Sequence, residues 1–264
     1  MLGKVIANGH LYIGAKPVYW CLDCRSALAE AEVEYEDKTS PAIDVAFRVS
    51  DTADLARRIG AAADAMAPTD VVIWTTTPWT LPANEAVALR ADFEYVLVEF
   101  QRDGVARRVI LAAGLAAASL QRYTDEASAA GAREVARFEG KVLEGLKLQH
   151  PFQDRRVPVI LGDHVTLEAG TGAVHTAPAH GQDDYIVGRR YNLPVVNPVL
   201  GDGRFQADTP LVGGLKLEEA SAKIIETLQG SAALLHHAPL RHSYPHCWRH
   251  KTPVIFRATP QWFI

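Results

Sequence analysis

Cys21-Leu22-Asp23-Cys24 lies near one end of the chain and Cys247-Trp248-Arg249-His250 near the other. Each pair has the two-residue gap of a metal knuckle. Together they supply three sulfurs and one imidazole, a set that fits tetrahedral zinc. A shared ion would clamp the two ends of the chain together, which restricts the topology more than any other feature of the sequence. Four protein ligands leave no open coordination position, so the implied role is structural rather than catalytic. The plain alternative is three reduced thiols in a degenerate knuckle, with His250 exposed. A redox pair is disfavoured, because no thioredoxin-like βαβ pattern surrounds Cys21 and Cys24. The odd cysteine count argues against a disulfide framework and for a reducing, cytoplasmic setting.

The 264 residues allow one large domain with extensions. Hydrophobic residues at 48% and charged residues at 22% are those of a soluble globular protein. A net charge of −4 gives no global basic field, so any RNA contact must be local or shared with parts outside this chain. No apolar run is long enough to span a bilayer. The opening Met1-Leu2-Gly3-Lys4-Val5-Ile6 is too short, and too polar downstream, for a secretory signal.

Strand signals dominate. Val71 to Thr76 reads as a buried strand stopped by Pro78. Glu94 to Phe100 and Arg108 to Ala112 flank Arg102-Asp103-Gly104, a hairpin turn whose Asp-Gly supplies positive φ. Val157 to Leu161 and Gly172 to Thr176 are further strands. Helices are expected over Leu115 to Ala130, Asp183 to Tyr191 and Leu217 to Leu228. There is no regular βα alternation, so the expected class is α+β with a β-barrel-like core rather than a doubly wound sheet. Residues 1–38 read as an extended connecting segment ending at the turn-like Thr39-Ser40-Pro41. Residues 39–238 form the domain, and 239–264 an extended returning segment. Both ends look unfinished, as in a domain cut from a longer protein.

The segment richest in chemistry is Trp74-Thr75-Thr76-Thr77-Pro78-Trp79-Thr80-Leu81-Pro82-Ala83-Asn84. Strand alternation puts Thr75 and Thr77 on one face and Thr76 on the other. Pro78 and Pro82 stiffen the backbone. The result is a rim of hydroxyls and an amide able to hold a ribose, an ester carbonyl and a water. The bland account, threonines favouring strands and Asn84 a turn, explains a single pair better than this whole run.

The second segment is Gly170-Thr171-Gly172-Ala173-Val174-His175-Thr176-Ala177-Pro178-Ala179-His180-Gly181-Gln182-Asp183-Asp184-Tyr185. Taken alone, Asp184 reads as a carboxylate stabilising a helix N-terminus. His175 reads as a core histidine and His180 as a solvated loop residue. The Gly-Thr-Gly piece is a weak phosphate-loop signal with the wrong surroundings.

Together the two segments resemble the editing domain inserted in class I isoleucyl-tRNA synthetases. Gly14 to Cys21, Ser26 to Glu32 and His242 to Arg249 extend the resemblance over essentially the whole chain. Related valine and leucine editing domains carry arginine after the Thr-Thr pair, where Thr77-Pro78-Trp79 stands here. That fits the isoleucine type and disfavours the other two. The resemblance implies the fold of the Val/Ile/Leu-type editing domains, with flanking helices and extended chain ends. It implies hydrolysis of the ester in valine wrongly attached to tRNA(Ile), with the tRNA 3′ end and the valine moiety as partners. It implies no cofactor for editing, and ATP and magnesium only in the full-length enzyme. The His-Ile-Gly-His and Lys-Met-Ser-Lys-Ser signatures of amino-acid activation are absent, and His10-Leu11-Tyr12-Ile13-Gly14 only echoes the first. No aminoacylation is therefore expected from this chain alone. Four-cysteine versions of the knuckles occur in similar proteins, which makes His250 a substitution among ligands.

The resemblance also implies roles. Asp184 would pair with the α-ammonium of valine, and His175 would wall the side-chain pocket against isoleucine. Thr75, Thr76, Thr80 and Ala177 would bind the terminal adenosine and the aminoacyl group. Thr77 and Asn84 would orient the ester and the attacking water. No serine-histidine-acid set is present, so direct attack by water is expected. The proton acceptor is left open, the terminal ribose hydroxyl of the tRNA being one candidate. A single pocket separates isoleucine from valine by only about 1–3 kcal/mol, a magnitude measured on synthetases of this very type, so a second, smaller pocket is needed. Two further readings compete: a non-catalytic module presenting the tRNA end, and a metal hydrolase built on His175, His180 and Asp184. The five-residue spacing of the two histidines and the intervening proline count against the second. A monomer is expected.

Overall fold

The structure is a computed structural model that describes residues 1–60 and 67–263; Ile264, the end of the returning segment, lies outside the described residues. A short helix α1 (Leu2–Ala7) precedes β1 (Tyr12–Cys21) and β2 (Ser26–Leu28). The long β3 (Val33–Val49) follows, then α2 (Thr52–Ile59), β4 (Thr69–Thr75) and β5 (Ala86–Leu89). Next come β6 (Glu94–Arg102), β7 (Val105–Ala112), α3 (Ala113–Tyr123), α4 (Glu126–Ala130) and β8 (Arg133–Glu139). The remainder is β9 (Lys147–Gln149), β10 (Arg156–Leu161), β11 (Ala173–Thr176), α5 (Gln182–Arg190), α6 (Leu217–Gly230), β12 (Leu234–Cys247) and β13 (Ile255–Phe263).

One ten-stranded mixed sheet runs in the order β11-β5-β10-β9-β3-β4-β7-β6-β8, with β12 added to β3. β5–β10 and β4–β7 are parallel pairs. The sheet curls until β11, at one end of the path, packs against β4 near its middle. No ladder joins them among the described residues, so the barrel-like form expected from the sequence is a curled open sheet, not a closed barrel.

Side-chain alternation divides the core. Tyr95 and Leu97 of β6 and Ile110 of β7 point into the main cluster with Phe47, Ile43, Leu81 and Leu89. Val96, Val98, Val109 and Leu111 point the other way, onto Ala116 and Leu120 of α3. Each fully buried large apolar side chain contributes roughly 1.5–3 kcal/mol. The β6–β7 turn is a two-residue Asp103-Gly104 connection with φ of 51° and 75°, the positive pair that a tight hairpin requires.

β3 explains the extended ends. Ala42 to Phe47 is buried throughout, and Ile43 to Val45 is paired on both sides, with β4 and β12. Below Ile43 only β12 continues, and the two strands run out as a ribbon to Val33 and Cys247. The turn expected at Thr39-Ser40-Pro41 does not form, since these residues lie within β3. Pro41 stands opposite Pro239, so neither proline leaves an amide donor unmatched there, and β4 no longer pairs on the other side. The extended reading of residues 1–38 misses α1. The single helix expected over 115–130 is two, broken at Thr124-Asp125, where the Asp125 carboxylate accepts from Ser128 N and caps α4. β13, β1 and β2 form a second, three-stranded sheet that carries both chain ends. Among the described residues no helix is long and apolar enough to cross a membrane.

Candidate active site and metal centre

β4 stops at Thr75 because the next residues turn. Thr77 precedes a six-residue 3₁₀ segment, Pro78–Ala83, whose first position is proline, where a missing N–H costs nothing. Thr75 Oγ1 accepts from Thr77 N at 3.1 Å and lies 3.3 Å from Thr77 Oγ1. Thr77 Oγ1 is 3.4 Å from Thr80 Oγ1. Thr80 donates to Thr77 O at 2.8 Å and meets His175 Nε2 at 2.9 Å. Thr80 has one hydroxyl hydrogen, already given to Thr77 O, so His175 Nε2 carries the proton and donates. His175 Nδ1 is then a bare acceptor, buried without a protein partner. Burial pushes the His175 pKa down to about 4, so the ring is neutral at physiological pH.

The sheet curl brings Thr80 and His175 together across 95 residues of sequence. Two glycines make the approach close. Gly170 (φ +82°) packs on Trp74, and Gly172 (φ +78°) packs on Ala112, whose Cβ would lie 2.2 Å from a methyl added there. Tyr95 Oη donates to Gly172 O at 2.6 Å and Ala112 N to Thr171 O at 2.9 Å.

After His175, the turn Ala177–His180 leads into α5. Asp184, in the first turn of α5, does not simply cap its own helix. Its Oδ2 reaches back to accept from Ala177 N at 2.9 Å. Gly181 permits this, because a methyl there would sit 2.8 Å from Oδ2. Burial pushes the Asp184 pKa up to about 7, with the Ala177 amide pulling it down and Asp183 adding a small upward push. One backbone bond does not compensate a desolvated carboxylate, and such groups concentrate at functional sites.

Asn84 is fully buried. Its Nδ2 donates to Ala86 O at 2.8 Å, and Oδ1 has no protein partner. Glu85 N donates to Thr176 O, which places Asn84 beside β11. Thus Thr75, Thr77, Thr80 and His175 form one hydrogen-bonded chain, Ala177 and Asp184 a second unit next to it, and Asn84 an orphaned acceptor alongside. Thr76 is half-buried and outside the hydroxyl chain.

One histidine escaped sequence reasoning and another was misplaced by it. His150 Nε2 donates to Leu81 O at 3.0 Å and its Nδ1 accepts from Gln153 N at 3.1 Å, which braces the 3₁₀ segment from behind. No motif around His150 signals this. His180, read as solvated, is buried. It donates from Nδ1 to Phe256 O at 3.0 Å and packs edge-on against Trp79.

At the far end of the ribbon, Cys21, Cys24, Cys247 and His250 present donor atoms all within 4.8 Å of one another. Cys24 Sγ is 3.9 Å from Cys247 Sγ, and His250 Nδ1 is 3.7 Å from Cys21 Sγ and 3.8 Å from Cys247 Sγ. A tetrahedron with Zn–S near 2.3 Å has edges of about 3.8 Å. Both knuckles are wound alike: Arg25 and Lys251, each following a second ligand, have φ of 52° and 57°. Cys24 N donates to Cys21 Sγ at 3.3 Å, which fixes the turn of the first knuckle. The four residues can hold a metal ion.

The family model for class I tRNA synthetases (I, L, M and V) matches residues 1–264. The chain belongs to the class I tRNA synthetases of this group. This synthetase segment is 62% identical over 264 residues to isoleucine–tRNA ligase of Thiobacillus denitrificans, covering 100% of the chain and 28% of that protein. It is 58% identical over 263 residues to isoleucine–tRNA ligase of Nitrosococcus oceani, with the same coverage. The chain therefore spans about 28% of the length of these curated relatives. Its fold is that of solved editing domains. It superposes on the P. knowlesi cytosolic leucyl-tRNA synthetase editing domain with a TM-score of 0.56 and 10% identity, covering 77% of this chain and 97% of that one. The GlLeuRS-CP1 crystal structure gives 0.55 and 11%, covering 75% and 98%.

Proposed function

We propose that this synthetase segment is the proofreading unit of an isoleucine–tRNA ligase and hydrolyses the ester of valine misattached to tRNA(Ile). The observation that carries the reading is Asp184: a carboxylate held near neutrality by burial, bonded only to Ala177 N, beside a neutral histidine and a chain of threonine hydroxyls. An α-ammonium would supply the missing countercharge, and a neutral His175 would not repel it.

In this reading Thr75, Thr76, Thr80 and Ala177 hold the terminal adenosine and the aminoacyl group. His175 walls the side-chain pocket. Thr77 and the free Oδ1 of Asn84 orient the ester and the attacking water, so most of the acceleration comes from positioning and hydrogen bonding. Residues 39–238 carry the chemistry. Residues 1–38 and 239–264 connect it to the remainder of the synthetase, with tRNA(Ile) as the partner.

The test is release of valine from Val-tRNA(Ile), with Ile-tRNA(Ile) as control. Valine is expected to be released faster by at least about tenfold, the lower limit for one methylene in a tight pocket. His175→Ala is expected to narrow that ratio by admitting isoleucine. Equal release of both amino acids by the unsubstituted chain would sink size exclusion. Release of neither, by this chain and by the full-length synthetase alike, would leave only a module that presents the tRNA end.

The knuckles are proposed to hold one structural zinc that locks the tip of the ribbon. Elemental analysis should find one zinc per chain, and none to a small fraction in Cys24→Ser. Metal at 100 times its dissociation constant stabilises by about 2.7 kcal/mol, so chelation should lower the melting temperature. An unchanged melting temperature on chelation of a zinc-loaded sample would rule out that role.

A further inference from the structure

His180 touches three parts of the molecule at once. Its Nδ1 donates to Phe256 O of β13. Its ring stands edge-on to Trp79 of the threonine-rich turn, with centroids 5.1 Å apart. Its own N–H donates to Ala177 O at 2.8 Å, closing the turn whose first amide binds Asp184. Beside it, Ala258 N donates to Ala179 O at 2.8 Å, so β13 is bonded to this turn twice. β13 pairs with β1 along its whole length, and β1 in turn packs on α5, the helix that carries Asp184. The two strands that carry the chain ends therefore meet the candidate site through this buried imidazole, the Ala258–Ala179 backbone bond beside it and the packing of β1 on α5.

We propose that His180 is a positioning residue, which transmits the placement of β13 to the Ala177–Asp184 unit and to the threonine-rich turn. This rests on the function proposed above. A plain core histidine would need only to fill space. Here the ring carries a hydrogen bond to a strand of the other sheet and ties it to both halves of the site. The other charged and titratable neighbours are His175 on β11, Asp183 beside Asp184 on α5, and Arg257 on β13; burial first, and then Arg257, keeps His180 neutral. Movement of the turn would lengthen the Ala177 N–Asp184 bond, the one contact that favours the ionised carboxylate.

The test follows the Asp184 carboxyl by carbon-detected NMR titration, which needs no substrate, and beside it the pH profile of valine release. His180→Leu keeps apolar volume and removes the donor to Phe256 O. His180→Asn keeps a donor at the Nδ1 position. The leucine variant should titrate at higher pH than the unsubstituted chain, and the asparagine variant should return toward it. A one-unit upward shift lowers the ionised fraction, and hence valine release below the midpoint, about tenfold. Should His180→Leu fail to fold, His180→Gln, which places its amide at the Nε2 position, serves in its place and is expected to shift likewise. A folded leucine or glutamine variant with an unmoved Asp184 midpoint overturns the proposal. Loss of valine release in the unsubstituted chain, with the NMR shift intact, would instead overturn only the function assigned to the site.

Discussion

Asp184→Asn is expected to lose nearly all valine release and yet to be more stable than the unsubstituted protein above pH 7. The loss follows from removing a charge that faces an ammonium. Truncating one partner of a buried charge pair costs about 2–5 kcal/mol, or roughly 30-fold to several-thousand-fold in rate. The gain follows from linkage. The carboxyl titrates near 7 in the folded protein against 3.8 for the free group, so the folded state holds the proton more tightly. Stability therefore falls as pH rises from about 4 to about 7, and the deficit persists above that range. Three pH units set an upper bound of roughly 4 kcal/mol, reduced because solvent reaches part of Asp184. Asparagine keeps an acceptor for Ala177 N without the buried charge. Melting curves of both proteins at pH 4 and pH 8 are the check. The curves should converge at pH 4 and separate at pH 8 with the variant higher. A variant no more stable at pH 8 would mean that the carboxylate is well solvated and that the case for Asp184 fails. A residue that costs stability where it stands is one whose presence needs a functional reason.

Gly172→Ala is expected to be strongly damaging, because it combines a positive φ with a close approach. Its φ of +78° disfavours any side chain, and the added methyl would lie 2.2 Å from Ala112 Cβ and 3.4 Å from Ala112 Cα. Left-handed backbone costs about 1–2 kcal/mol for a non-glycine residue, and overpacking a further 1–3 kcal/mol or so. The sum, about 2–5 kcal/mol, is a large part of the 5–15 kcal/mol typical of a folded domain. At about 2–4 °C per kcal/mol for chains of this size, the melting temperature should fall by roughly 5–20 °C. Gly104→Ala is the matched control: φ is +75°, but nothing lies within 4 Å of the added methyl. It should cost only the backbone term. Similar losses in the two variants would show that the lead-in to β11 does not approach β7 closely. Because Gly172 O also receives the Tyr95 hydroxyl and the strand that follows carries His175, Gly172→Ala should lower valine release even at temperatures where the variant remains folded.

Much of this molecule is written locally. Asp103-Gly104 demands a hairpin because few residue pairs take positive φ twice. Val71 to Thr75 demands a buried strand because its apolar run is bounded by a proline turn. The two-residue gaps at Cys21 and Cys247 favour knuckles, because a tight turn brings both donors of each pair to one point. These signals involve neighbours in the chain, so the sequence alone determined them, together with the synthetase family. The tertiary structure decided what depends on distant partners. Thr39-Ser40-Pro41 carries the residues of a turn but becomes strand, since β12 offers a register in which Pro41 meets Pro239. His180 carries the polarity of a loop residue but is buried, since β13 returns to cover it. His175 acquires a defined tautomer only when the sheet curl delivers Thr80 to its Nε2. Asp184 has the sequence of a helix-capping carboxylate, and its raised pKa arises because the fold desolvates it and leaves it one backbone bond, from Ala177 N. Hydrogen-bond partners and desolvation are set by which strands lie side by side, and no short stretch of sequence contains that information.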